Sequence, residues 1–182
     1  LFSASVYEEI SFGILNMGAD EETAEKAVRQ IIEELGLSAF QEEPTHALSG
    51  GQKKQVSIAD ILVMKPEIVI MDEPASALDP KHTKKVNEMI ERLTEKGITV
   101  LIATHDIEYA CGWADEIVLM HEGKVIRHAE TMEICQDEEA LKEAELEIPT
   151  VIRMYRKLTE KKILSDKEEP PRTWEELESR LT

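Results

Sequence analysis

The chain has 182 residues and a formal charge of −17, from 38 Asp and Glu against 21 Lys and Arg, which disfavours binding to nucleic-acid phosphates or anionic lipid. We therefore expect no nucleic-acid partner, and because no apolar run approaches the roughly 20 residues of a membrane-spanning helix, we expect no membrane span. The two cysteines, Cys111 and Cys135, are expected as reduced cytoplasmic thiols rather than as a disulfide framework.

Two helix patterns occupy the first third of the chain. Residues 20–35 place apolar side chains on one helix face, with Asp20 positioned to cap the start and Gly36 to end it. A second pattern begins after Gly50 and Gly51. It is apolar on too many sides for a single buried stripe, so we expect this helix to be largely buried.

Two short apolar runs, residues 68–71 and 98–103, predict strands that are covered on both faces. Between them a helix pattern begins at Pro80 and is stopped by Gly97. A strand, a helix and a strand of these lengths predict a βαβ crossover in a parallel sheet.

The last third of the chain predicts a hairpin and then a helical tail. The hairpin strands are residues 116–120 and 125–128. From about residue 137 the chain becomes highly charged, and residues 173–176 (TWEE) have the spacing of a capping box. We therefore expect the tail to be an ordered helical appendage rather than a disordered end.

Two groups of residues have the chemistry of a phosphate site. Asp72, at the carboxyl end of the first strand, would hold a hydrated Mg²⁺, and Glu73 would orient or deprotonate a water. Residues 48–52 (LSGGQ) open the second helix with free N–H groups beside a hydroxyl, which favours an anion. The alternative for Asp72 and Glu73 is a pair of residues that caps a helix start. The alternative for residues 48–52 is an ordinary helix entry that contains glycines.

The order of four motifs resembles the ATPase of ATP-binding cassette (ABC) proteins. They are residues 48–52 (LSGGQ), 68–74 (IVIMDEP), 76–80 (SALDP) and 104–106 (THD), and the resemblance extends from the start to about Glu130. It implies an α/β fold, a partial RecA-like P-loop NTPase parallel sheet without its N-terminal strands, together with an all-helical signature subdomain and a helical appendage. The implied domains are 1–65 (end of the Q-loop and signature subdomain), 66–136 (half of the ATPase core) and 137–182 (appendage).

The resemblance also implies a role for each matching residue. Asp72 is the Walker B acid that holds Mg²⁺ through water, Glu73 the catalytic glutamate and His105 the switch histidine, with residues 77–79 as the D-loop core. The implied ATP-binding residues are Ser49, Gly50, Gly51, Gln52 and Asp79. In such ATPases the signature of one subunit closes on ATP held by the other, which implies a second ABC ATPase subunit, identical or different.

The phosphate loop of such ATPases is not found in this sequence. No G-x-x-x-x-G-K-[ST] occurs, and Gly123-Lys124 lies in the predicted hairpin. Because the downstream motifs are intact, we expect an N-terminally truncated chain rather than a degenerate one. The full protein is then expected to hydrolyse ATP, and the isolated fragment is not.

The opening residues 1–18 and the tail residues 148–177 resemble the ATPases of energy-coupling-factor importers, including the cobalt and nickel type. This implies transmembrane importer subunits as partners, a peripheral position on the cytoplasmic face of the membrane, and cobalt or nickel ahead of vitamins as substrate. The expected contacts to a membrane subunit are Leu1, Phe2, Val6, Tyr7 and Phe12, of which at least half are expected in the core.

The sequence departs from the pattern of the ABC family at three positions. Gln55 stands where Arg is usual, Ala75 where Thr is usual, and Asp60 where a small or basic residue is common. A soluble ABC ATPase of DNA repair or translation is one alternative function, and a non-catalytic partner-binding module is another.

We expect four histidines to be exposed and three methionines to fill the core. The histidines are His46, His82, His121 and His128, and the methionines are Met64, Met71 and Met89.

Overall fold

Helices and short strands follow one another along the chain in two units, 1–103 and 104–182, each with its own core. The computed structural model describes residues 1–76, 78–165 and 168–181. The elements of the first unit are α1 (Val6–Asn16), α2 (Glu21–Glu34), α3 (Gly50–Leu62), β1 (Ile68–Asp72), α4 (Pro80–Glu95) and β2 (Thr99–Ala103). Those of the second are α5 (Ile107–Trp113), β3 (Glu116–His121), β4 (Lys124–Glu130), α6 (Thr131–Cys135), α7 (Glu138–Glu143), α8 (Thr150–Glu160) and α9 (Trp174–Ser179). The predicted domain boundaries after residues 65 and 136 stay a prediction.

The predicted caps of α2 are confirmed. The Asp20 carboxylate accepts a hydrogen bond from the Thr23 N–H at 2.9 Å, which satisfies one of the free donors at the helix start. Gly36 follows the helix with a φ of +66°, the left-handed conformation that glycine adopts at least cost. The inner face of the helix is buried at Val28 and Ile32, among others.

The predicted βαβ crossover is also confirmed. β1 and β2 pair in parallel, with Ile68 opposite Thr99 and Asp72 opposite Ala103. Helix α4 connects them and buries four apolar side chains, as a crossover helix that packs back onto its sheet must. These are Val86, Met89, Ile90 and Leu93.

The prediction that β1 and β2 are covered on both faces is wrong for this structure. Val69 and Met71 are buried, whereas the alternate side chains Ile68 and Ile70 are 62% and 71% exposed, and Leu101 of β2 is 54% exposed. Successive strand side chains point to opposite faces, so one whole face of the pair is uncovered in the described residues. Helix α3, by contrast, is largely buried as predicted, since its exposed residues form one stripe: Gly50, Lys53, Ser57 and Ile61.

The second unit contains the predicted hairpin and an ordered tail. β3 and β4 pair antiparallel through a turn whose central residues, Glu122 and Gly123, both have positive φ. The predicted capping box at α9 is half formed. Thr173 Oγ1 accepts from the Glu176 N–H, but the Glu176 carboxylate accepts from the N–H of Arg172 instead of that of Thr173.

The core of the second unit joins the hairpin to the tail helices. Its innermost side chains come from α5, α6, α7, α8 and α9, and they include Cys111, Ile134, Leu141, Ile152 and Leu177. Cys111 and Cys135 are free thiols, as predicted, and both are buried. None of the helices in the described ranges is long and apolar enough to cross a membrane.

Candidate functional site

The LSGGQ segment forms the first turn of α3 and is closed by a reciprocal capping box. Ser49 Oγ accepts from the Gln52 N–H at 3.2 Å, and Gln52 Oε1 accepts from the Ser49 N–H at 2.9 Å. Ser49 and Gly50 are exposed at the helix start. A phosphate bound here would compete with Ser49 Oγ for the Gln52 N–H, while the Ser49 O–H proton would remain for donation.

Gly51 of the signature lies against the imidazole of His82, at the start of α4. A Cβ at position 51 would lie 2.7 Å from the ring's Cγ and closer still to Cδ2, so this position has no room for a side chain. The prediction that His82 is solvent-exposed is therefore wrong, because its side chain is only 29% exposed. The signature turn and the first turn of α4 are thus in direct contact.

The same histidine binds Asp79, the predicted D-loop aspartate. Asp79 caps α4 by accepting from the His82 N–H at 3.1 Å, and its second oxygen lies 2.6 Å from His82 Nδ1. Because a carboxylate only accepts, Nδ1 carries the proton of this bond. The hydrogen bond from the His82 side chain, with that from its backbone N–H, lowers the pKa of the Asp79 carboxyl. Ala77, also assigned to the D-loop, lies outside the described residues.

Asp72, the predicted Mg²⁺ ligand, and Glu73, the predicted catalytic acid, follow each other at the carboxyl end of β1. Asp72 is the last residue of the strand and is exposed. Glu73 has a φ of +45°, a conformation that non-glycine residues adopt at a cost of about 1–3 kcal/mol. Its N–H donates to the Ala103 carbonyl at 2.9 Å, one residue beyond the ladder between β1 and β2.

Lys54 of α3 contacts this loop, which the sequence patterns gave no reason to expect. Its Nζ donates to the carbonyl oxygens of Glu73, Pro74 and Ser76 at 2.7, 2.8 and 3.1 Å. Burial lowers the pKa of the Lys54 ammonium, and the nearby Glu73 charge opposes that effect. Helix α3 and the loop that follows β1 are therefore joined by a side chain.

The predicted switch histidine lies in the second unit. His105 is exposed, and it sits between two residues that organise the start of α5. The Asp106 N–H donates to Thr104 Oγ1 at 3.2 Å, and the Asp106 carboxylate caps the helix by accepting from the Tyr109 N–H at 3.0 Å. A contact between His105 and Glu73 or a phosphate stays a prediction.

The burial predictions for the other histidines and for the methionines are confirmed for some residues and not for others. His46 and His128 are exposed, the latter 2.8 Å from a Glu116 carboxylate oxygen, and His121 is half-buried. Met71 and Met89 are core residues as predicted, and Met64 is half-buried.

Two of the departures from the family pattern lie on α3. Gln55, which stands where Arg is usual, is buried. Asp60 is half-buried, and its burial, followed by the charge of Glu9, raises the pKa of its carboxyl. Neither residue belongs to the predicted nucleotide contacts.

The donor set available for a metal is small. Across residues 1–76, 78–165 and 168–181 no group of three or more His, Cys, Asp and Glu side chains could hold an ion. Mg²⁺ is usually held by one or two carboxylates with waters and phosphate oxygens, so the exposed Asp72 carboxylate fits a metal that arrives with a nucleotide.

Comparison with known proteins agrees with these motifs. The family model described as "ABC transporter" matches residues 2–76. The energy-coupling factor transporter ATP-binding protein EcfA of Methanocaldococcus jannaschii is 36% identical over 174 residues, which is 96% of this chain and 60% of that protein. EcfA3 of Clostridium perfringens is 39% identical over 162 residues, 88% of this chain and 57% of that protein.

A solved structure shows the same fold. The cbiO1 protein of Clostridium perfringens, part of the ABC transporter complex cbiONQ, is 38% identical with a TM-score of 0.69, over 86% of this chain and 62% of that one. The chain thus spans less than two thirds of the length of these relatives. On the strength of these sequence and structural relatives, the chain belongs to the ABC transporter ATPase family, whose fold is the RecA-like α/β type.

Proposed function

We propose that this chain is the ATP-hydrolysing, nucleotide-binding subunit of an energy-coupling-factor importer and couples hydrolysis at a dimer interface to transport. The observation that carries the proposal is the Asp72–Glu73 pair at the carboxyl end of β1, in one unit with the LSGGQ turn. The relatives named above as energy-coupling factor ATP-binding proteins support the importer type.

Each predicted residue has a role in the proposed reaction. Asp72 would hold Mg²⁺ through water, and Glu73 would aim the attacking water at the γ-phosphate. His105 would hydrogen-bond the γ-phosphate or Glu73. The groups proposed to contact ATP from the opposite subunit are Ser49, Gly50, Gly51, Gln52 and Asp79.

The proposed partners are a second ABC ATPase subunit and the transmembrane subunits of the importer. Phe2 and Phe12 are 100% and 66% exposed, so they are the members of the predicted contact set that remain available to a membrane subunit. Val6 is fully buried and belongs to the core. We propose a peripheral position on the cytoplasmic membrane face, residues 137–182 as the region that helps two ATPase subunits meet, and cobalt or nickel ahead of vitamins as substrate.

The test uses the complete gene product with Mg²⁺ and ATP. We expect ATP hydrolysis, and Glu73→Gln should lower its rate by at least about 10²–10³-fold, because the water loses the acid that aims it. The same variant should accumulate an ATP-bound dimer, measured by size-exclusion chromatography with light scattering. Glu67→Gln, an exposed glutamate just before β1, is the matched control. Hydrolysis at the wild-type rate by Glu73→Gln would overturn the role of Glu73.

A further inference from the structure

The ammonium of Lys54 is the centre of a three-carbonyl cluster in the first unit. Its three donors match the three carbonyl oxygens of Glu73, Pro74 and Ser76, all within 3.1 Å. The neighbouring Lys53 is exposed, and its ammonium makes no such contact with any residue that the structure describes. The cluster therefore belongs to one particular lysine and not to a general basic surface.

The loop that Lys54 binds needs an external support. Glu73 has its strained positive φ here, and its carbonyl also accepts the Ser76 N–H at 3.2 Å, which closes a tight turn. Such a turn aims several carbonyl dipoles at one point. A cation at that point offsets their mutual repulsion, and charged donors make stronger hydrogen bonds than neutral ones.

The position of Lys54 along α3 connects this support to the signature. Ser49 and Gln52 close the first turn of the helix, and Lys54 follows two residues after Gln52. A displacement of this helix end therefore moves the group that holds the main chain of Glu73.

We propose that Lys54 is a positioning residue for ATP hydrolysis, and that it holds the Glu73 backbone so that the carboxylate is aimed at the attacking water only when the signature turn is in place. The inference rests on the proposed function. It assigns to Lys54 no contact with nucleotide, and it makes the rate of the chemical step depend on a side chain outside the motif residues.

The test compares three variants in the complete gene product. Lys54→Met removes the charge and the three donors while keeping an unbranched chain, and we expect kcat to fall by roughly 10²-fold, the cost of a misplaced catalytic group. KM for ATP should change by less than about threefold, because an interaction that acts on the chemical step lowers kcat and kcat/KM together. Lys54→Arg keeps charge and N–H donors and should recover part of the rate. Lys53→Met should hydrolyse ATP at the wild-type rate.

A second comparison separates positioning from general destabilisation. In a Glu73→Gln background, Lys54→Met should cause no further loss of rate, because groups that act as a unit are not additive. A further loss of the same size would overturn the proposal. If Lys54→Met does not fold, Lys54→Gln is measured by the same criteria, with its melting temperature recorded beside kcat.

The failures of the two proposals are distinguishable. Wild-type protein without Mg²⁺-dependent hydrolysis would contradict the proposed function. Active wild type with an unchanged kcat in Lys54→Met, or with a raised KM and an unchanged kcat, would contradict the role of Lys54 alone.

Discussion

Gly51 shows how one missing side chain sets the local structure of the site. Its Cα faces the His82 ring so closely that any Cβ would overlap it, whereas Gly50 has nothing within 4 Å of the equivalent point. A larger residue at position 51 would push the His82 ring away, and the hydrogen bond between His82 Nδ1 and the Asp79 carboxylate would be lost. The glycines of one motif therefore have different physical roles.

We expect Gly51→Ala to lower the free energy of unfolding by about 1–3 kcal/mol relative to Gly50→Ala, since overpacking outweighs the better helix propensity of alanine. Urea unfolding of the two variants measures the difference. In a His82→Ala background, the same Gly51→Ala change should lower the free energy of unfolding much less than in the wild type, because the ring that clashes is gone. Equal stability of the two single alanine variants would show that His82 moves aside without cost.

At the scale of the element, β1 has two unlike faces. Val69 and Met71 lie in the core, and Ile68 and Ile70 form an apolar stripe beside the exposed Leu101 of β2. Contiguous exposed apolar side chains on a strand promote association between copies. The two faces therefore respond differently to the same chemical change.

We expect Ile70→Thr to reduce concentration-dependent association of the 182-residue chain and to change its unfolding free energy by less than about 0.5 kcal/mol, as is usual for exposed positions. Val69→Thr places a hydroxyl in the core and should cost about 1–3 kcal/mol. Light scattering measures the first effect and urea unfolding the second. Similar solubility of Ile70→Thr and the unchanged chain would contradict a role of this face in association.

Elements with a local signal could be predicted from the sequence. Helix α2 and the crossover through α4 follow from periodicity and from Asp20, Gly36, Pro80 and Gly97, which act within a few residues. The exposed face of β1 could not be predicted, because an apolar run does not say what packs on it. The contact between Gly51 and His82 could not be predicted either, because it depends on how the starts of α3 and α4 pack together. The spacing of Asp79 and His82, which fits an N-cap, is the one local signal for that pair.

At the scale of the whole molecule, the predicted site residues occur in the sequences of both units. The signature, Asp72 and Glu73 lie in residues 1–103, and His105 lies in residues 104–182. Motif order predicts that these residues act as one functional set, since order and spacing are properties of the sequence. How these residues would approach a nucleotide depends on packing and on partner chains, which motif order and spacing do not encode.

The two cysteines make the second unit chemically distinguishable from the first. Both thiols are fully buried and both lie beyond residue 103. The hydrogen bond with Cys111, together with burial, raises the pKa of Cys135, so little of that thiol is the reactive thiolate. We expect both to resist a thiol reagent under native conditions and to react as denaturant is added, with mass spectrometry counting the labels. Immediate labelling in native buffer would contradict this burial.

Thiol labelling therefore follows the opening of residues 104–182 alone, while a spectroscopic signal averages over the whole chain. Comparing their denaturation midpoints would reveal whether the half with the LSGGQ turn and the half with His105 melt together or in sequence, without any label being engineered into the protein.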